Sequence, residues 1–147
     1  QEGVHAQDGM DLSLCSIDIK NKVIKYAGAK NPLCLVRNNV IEEIKGDPFS
    51  IGGMYKRLRK TKIEKRFVSK DIPYSKGLYL YLFTDGCIDQ FGAEDKKVFN
   101  SKRFKNTLLS INDLSPIDKK SGLAKVMDEW KGDTKQIDDM LVLGFRV

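Results

Sequence analysis

The sequence predicts an α+β domain in which antiparallel strands are flanked by helices, and three observations carry the prediction. The first third holds short apolar runs separated by tight polar turns, residues 78–83 (LYLYLF) are apolar or aromatic throughout, and two helical segments with capping residues follow. At 147 residues and 41% hydrophobic, the chain can build one core and is short for two, so a single globular unit over 1–147 is expected.

Over 11–19 the apolar residues alternate, Leu12 and Leu14 first and then Ile17 and Ile19 after a slip. Lys20, Asn21 and Lys22 supply a polar turn, and 23–26 reads as the return strand. Runs at 33–36 and 40–44 are separated by Asn38 and Asn39, which tolerate the left-handed backbone of a tight hairpin, so the first third reads as a β-meander. Ile51, Gly52 and Gly53 form a flexible joint, and 63–68 is a strand leading towards Pro73.

The run 78–83 is apolar on both faces, which suits a central strand buried between two layers, and it stops at Thr84, Asp85 and Gly86. Ser101 can cap a helix with Phe104, Leu108 and Ile111 on one face, and Ser115 with Pro116 opens another bearing Leu123, Met127 and Trp130. Both stripes should cover a sheet. Beyond Gly132, Asp138 and Asp139 introduce the last strand, within MLVLGFRV.

Composition narrows the functional classes. No stretch approaches the roughly 18 apolar residues of a membrane span, and QEGVHAQDGM lacks the apolar segment of a secretory signal, so a soluble chain without membrane contact is expected. Cys15, Cys34 and Cys87 are an odd set without the paired spacing of a zinc site or disulfide framework, which points to reduced thiols in a cytoplasmic protein. The net charge of +6 owes much to Lys56, Arg57, Arg59, Lys60, Lys62, Lys65 and Arg66. No aromatics alternate with these charges as a single-strand platform requires, and nucleic acid is not an expected partner. Histidine chemistry has only His5 to draw on, and there is neither a GxxxxGK[ST] loop nor a GxGxxG after a strand. A cysteine-nucleophile phosphatase would place arginine six positions after its cysteine, where this chain has Asn21, Val40 and Ala93.

The remaining chemistry belongs to carboxylates. Asp85 lies at the end of one strand and Asp138 at the start of another, so antiparallel pairing would bring them to the same edge. If Gly86 begins a helical turn, Asp89 projects from the same face four residues after Asp85. Carboxylates gathered in this way resist ionising together unless a cation neutralises them, and magnesium or manganese prefers such oxygen ligands. Spacing alone favours a simple turn at Asp85 and a helix-to-strand connector at Asp138.

The order LFTDGCIDQ, then helices, then QIDDMLVLGF resembles the closing half of the SpoIIE-like (RsbU-type) serine/threonine phosphatases, a branch of the metal-dependent type 2C superfamily. The segment from Asp8 through Ile51 and Gly52, with its Ala27-Gly28 step, is also similar to that family's strand-rich middle. The resemblance implies an antiparallel β-sandwich flanked by helices with the N-terminal part of the domain absent, since no Gly-Asp-x-x-Asp or Asp-Gly-His-Gly motif occurs. It further implies Asp85 and Asp138 as ligands of two or more Mn2+ or Mg2+ ions, Asp139 as a supporting neighbour, and Asp89 as a ligand of an additional, weaker ion. In that mechanism the ions activate a water that attacks phosphoserine or phosphothreonine, with no covalent nucleophile on the protein. Two departures are Ala29, where the family often has histidine, and Asp89, where it often has glutamate. The implied substrate is a phosphoprotein regulator, by analogy an anti-sigma-factor antagonist in a signalling pathway. This chain by itself is expected to bind metal weakly and turn over poorly. The alternative is a non-catalytic module that binds a phosphoprotein or partner. Strands left without neighbours would favour a homodimer.

Overall fold

The computed structural model describes residues 9–52, 66–94 and 96–147. His5, Gly53 and the basic stretch up to Lys65 lie outside the described residues. Two compact units divide the chain, one within Gln1–Leu33 and Glu43–Lys76, the other formed by Cys34–Glu42 with Gly77–Val147.

The first unit is built on an antiparallel sheet of β2 (Leu12–Asp18), β3 (Val23–Ala29) and β7 (Lys70–Pro73), with β3 in the middle. Pairing of Ile17 with Ile24 and of Cys15 with Tyr26 sets the register, and Ile24 and Tyr26 are buried. That register turns Ser13, Cys15 and Ile17 towards the interior and leaves Leu12 and Leu14 on the exposed face. The alternation seen in the sequence is real, but Leu12, Leu14 and Ile19 are exposed and only Ile17 of its apolar members is turned inward.

The β2–β3 turn is held by Asp18, whose carboxylate accepts from the Asn21 backbone N–H at 2.8 Å and from its Nδ2 at 2.7 Å, while Lys22 takes φ 54°. These bonds to the ionised form hold the Asp18 carboxyl below its ordinary 3.8, the Asn21 backbone N–H acting first. A lowered acid contributes stability above its unfolded value, and that contribution is lost as pH falls through the folded value. Titration followed by NMR should therefore place the Asp18 midpoint below 3.8, and Asn21→Ala should move it upward.

Three expectations are corrected in this region. Ile51 and Gly52 are no joint: as β6 (Ile51–Gly52) they pair with β1 (Gly9–Met10). Of the strand expected over 63–68, residues 63–65 lie outside the described residues, and within 66–68 Val68 gives its N–H to the Asp47 carboxylate at 2.9 Å and not to a ladder; the next described strand is β7. Pro73, which has no N–H to give, is accommodated because β7 is an edge strand. Nor is the first third a continuous meander. It forms two hairpins in different sheets, because Lys30 at φ 60° and Pro32, without an N–H, stop β3 from continuing into the next strand.

The second unit carries a sheet ordered β5–β4–β8–β9, from β4 (Leu33–Arg37), β5 (Val40–Ile44), β8 (Tyr79–Phe83) and β9 (Val142–Arg146). Asn38 and Asn39, at φ 48° and 60°, make the left-handed two-residue turn between β4 and β5. As its composition predicts, β8 is an inner strand, with Leu80 buried on one face and Tyr81 and Phe83 on the other.

Three helices follow: α1 (Gly86–Asp89), α2 (Asn100–Ser110) and α3 (Pro116–Lys131). Ser115 caps α3 as expected, accepting from the Asp118 N–H at 3.3 Å with Pro116 just inside. The start of α2 is set one residue before the expected Ser101, since the Asn100 carboxamide accepts from the N–H groups of Lys102 and Arg103. Asparagine tolerates the left-handed backbone required there, φ 63°. The predicted stripes form the core: Phe104, Leu108 and Ile111 of α2 and its end, and Met127 of α3, pack with Cys34, Val36, Tyr81 and Phe83, and Leu123 and Trp130 flank them. Phe83 and Phe104 are 4.4 Å apart between ring centroids. No helix among the described residues is long and apolar enough to cross a membrane.

Candidate metal centre

β8 and β9 pair antiparallel, and the last matched residues are Phe83 and Val142. The ladder is then extended by Thr84, which donates its N–H to the Leu141 carbonyl at 3.1 Å. The Thr84 hydroxyl donates to the Asp139 carbonyl at 2.7 Å and accepts from the Leu141 N–H at 2.9 Å. One side chain thus holds the segment carrying Asp138 and Asp139 against the end of the strand that carries Asp85.

Asp85 begins α1, where its carbonyl accepts from Ile88 and Asp89 at 2.8 and 2.9 Å and its side chain makes no capping bond. The single turn projects Asp89 beside it. Burial first, then the negative charges of Asp85 and Asp138, push the Asp89 carboxyl above its ordinary value. Asp89 therefore feels both other carboxylates at this edge of the sheet. Asp138 turns one oxygen to the Asp139 N–H at 2.7 Å, and Gln136 donates to its carbonyl at 2.8 Å. Asp139 brings its backbone against α1: a Cβ on Gly86 would lie 2.5 Å from its carbonyl oxygen.

Three residues that shape the site carry no sequence signal of that role. Thr84 and Gly86 read only as a strand end and a turn. Gln90 reads as a polar residue after a helix, yet it is fully buried and donates to the carbonyls of Phe91 at 3.0 Å and Lys135 at 3.2 Å. Its own carbonyl accepts from Trp130 Nε1 at 3.0 Å and from the Phe99 N–H at 2.9 Å. Gln90 so ties the end of α1 to the segment that leads to Asp138. Gln90→Leu keeps the volume but takes the Nε2 donor away from the Phe91 and Lys135 carbonyls, while removing an Oε1 that has no partner of its own. The net loss expected in chemical denaturation is about 1–2 kcal/mol.

The donors fit a hard divalent cation. They are carboxylate oxygens whose mutual repulsion a positive ion would relieve. Burial raises the Cys87 thiol, which favours its protonated form and makes it a poor competing ligand. Among the described residues, no three histidine, cysteine, aspartate or glutamate side chains converge closely enough to enclose an ion.

The family described as Stage II sporulation protein E (SpoIIE) matches residues 3–147. No curated protein matches the chain. Among solved structures, the chain is similar to the SiaA-PP2C domain of Pseudomonas aeruginosa, with 27% identity and a TM-score of 0.82 over 93% of this chain and 51% of that one. It also resembles the manganese-presoaked phosphatase domain of the cell fate determinant SpoIIE from Bacillus subtilis, at 14% identity and a TM-score of 0.67, covering 93% of this chain and 56% of that one. RsbX in complex with magnesium is similar at 15% identity and a TM-score of 0.55, covering 92% of this chain and 55% of that one. The last two likenesses concern the fold. The chain spans about half the length of these structures.

Proposed function

Because the chain belongs to the SpoIIE family, we propose that it is the C-terminal part of the catalytic domain of a metal-dependent protein serine/threonine phosphatase. The observation that carries this reading is the antiparallel β8–β9 pairing, whose one edge is flanked by Asp85 and Asp138, with Asp89 raised by burial and by the other two charges. Asp85 and Asp138 would hold divalent cations, Mn2+ or Mg2+, and Asp89 would reach the same or an additional ion. When bound, such ions supply Lewis-acid activation of water and of the phosphoryl group. The chain's own part is to gather the carboxylates, through Thr84 and Gln90, on a rigid strand pair where they can be neutralised together.

The substrate class that follows is phosphoserine or phosphothreonine on a signalling regulator in the cytoplasm, by analogy an anti-sigma-factor antagonist. Exposed Leu12 and Leu14 on β2 support a second copy as a partner of the isolated chain. The remaining ligands would come from the part of the domain that lies outside the half of the structural relatives matched by these residues. Manganese-dependent hydrolysis of a phosphopeptide, measured on this chain and on a longer one spanning the whole domain, tests the reading. The longer chain should be at least about 100-fold faster, since losing even outer-shell support of a metal costs 10–100-fold. A longer chain without manganese-dependent activity would refute the assignment.

A further inference from the structure

The second unit contains a cavity of about 730 Å3 between α3 and the β8–β9 strands, within the size range, about 300–1,000 Å3, of small-molecule sites. Leu123, Met127 and Val142 give it an apolar wall. At the end marked by the Tyr79–Arg146 pair of the ladder, it is polar in an unusual way. Lys119, on the first turn of α3, is only 7% exposed, and its Nζ has no hydrogen-bond partner. That ammonium lies 3.3 Å from the centroid of the Tyr79 ring, and the Arg146 guanidinium lies 5.5 Å from the same centroid. Tyr79 stacks on Tyr81, with centroids 6.3 Å apart, and the buried Tyr81 hydroxyl also lacks a partner.

A ring face attracts a cation but leaves N–H donors unused, and a buried cation without an acceptor is costly. Two unsatisfied donors, Lys119 Nζ and Tyr81 Oη, border one apolar cavity. The cations on its wall, Lys119, Lys120 and Arg146, outnumber its acid, Asp128. A carboxylate offers two acceptor oxygens and one negative charge, and an aliphatic tail matches the remaining wall. We propose that this cavity binds an aliphatic monocarboxylate of the fatty-acid class, its head on Lys119 and Tyr81 beside Arg146 and its tail along Leu123, Met127 and Val142. The far wall includes Cys87, between Asp85 and Asp89 in sequence, and Met140, next to Asp139. The tail therefore reaches the two segments that carry the carboxylate cluster.

The test is titration of the chain with decanoate below its micelle concentration, followed by 1H–15N correlation spectra, with decanol and decyl phosphate as comparisons. Saturable shifts are expected at Tyr81, Lys119, Met127 and Met140, with decanol binding at least tenfold more weakly. Lys119→Met keeps the aliphatic stem and removes a buried charge, so the variant should fold and bind decanoate at least tenfold more weakly. The decanoate–decanol comparison on the unaltered chain stands whatever that variant does. The proposal is overturned by absence of saturation, by equal binding of decanol, or by shifts confined to the exposed leucines of β2. Tighter binding of decyl phosphate than of decanoate would overturn the carboxylate assignment in favour of a phosphate-headed lipid.

Discussion

Gly86→Ala should destabilise the chain by at least about 3 kcal/mol, the upper end of the usual overpacking cost, and scatter the carboxylate cluster. The added Cβ would stand 2.5 Å from the Asp139 carbonyl oxygen, 3.0 Å from its carbonyl carbon and 3.2 Å from that of Asp138. All three are backbone atoms, and the Asp139 carbonyl is held by the Thr84 hydroxyl, so no flexible side chain can yield. Relief requires moving the 138–139 segment away from α1, which separates Asp138 from Asp85 and Asp89. Helix propensity pulls the other way, favouring alanine over glycine by about 1 kcal/mol. The sign of the change therefore decides whether the steric contact dominates. Chemical denaturation and manganese titration would measure both consequences, and a variant at least as stable as the parent with unaltered manganese binding would contradict the account.

Asp85→Asn separates a metal ligand from a structural turn residue. In a chain spanning the whole domain, manganese-dependent kcat/KM on a phosphopeptide should fall at least about 100-fold, since removing a ligand should cost no less than removing its outer-shell support. The metal-free protein should keep its stability or gain slightly, because like charges at i and i+4 on a helical turn oppose folding by about 0.2–0.5 kcal/mol. A second readout comes from Asp89. Its carboxyl is raised by burial, then by Asp85, then by Asp138, so without metal the substitution should move its titration midpoint down, while burial and Asp138 keep it above the ordinary value. Activity within a few-fold of the parent would remove Asp85 from the metal site. An unmoved Asp89 midpoint would separate the two carboxylates in space.

Local chemistry was legible along the chain. Asn38-Asn39 announced a left-handed hairpin turn, Ser115-Pro116 a helix start, and LYLYLF an inner strand. The convergence of Asp85 and Asp138 was also within reach, because a strand ending in one acid and another beginning with an acid meet at one edge if they pair antiparallel. Where local reading failed, a distant partner had overridden it. Asp47 drew Val68 away from a strand, β1 recruited Ile51, and the pairing with Tyr26 and Ile24 turned the other face of β2 inward.

By itself, the sequence determined which residues could turn, cap or pack, and which acids could share a cation, because those properties reside in side chains and their near neighbours. Tertiary structure alone decided that Thr84 would hold a segment 55 residues away. It also decided that Gly86 would have backbone against it, and that Lys119 on an amphipathic helix would be buried without an acceptor. Those outcomes depend on where a strand pair ends and how closely a helix lies on it. Contacts of that kind join residues far apart in the chain, and periodicity, which extends only a few residues, carries no record of them.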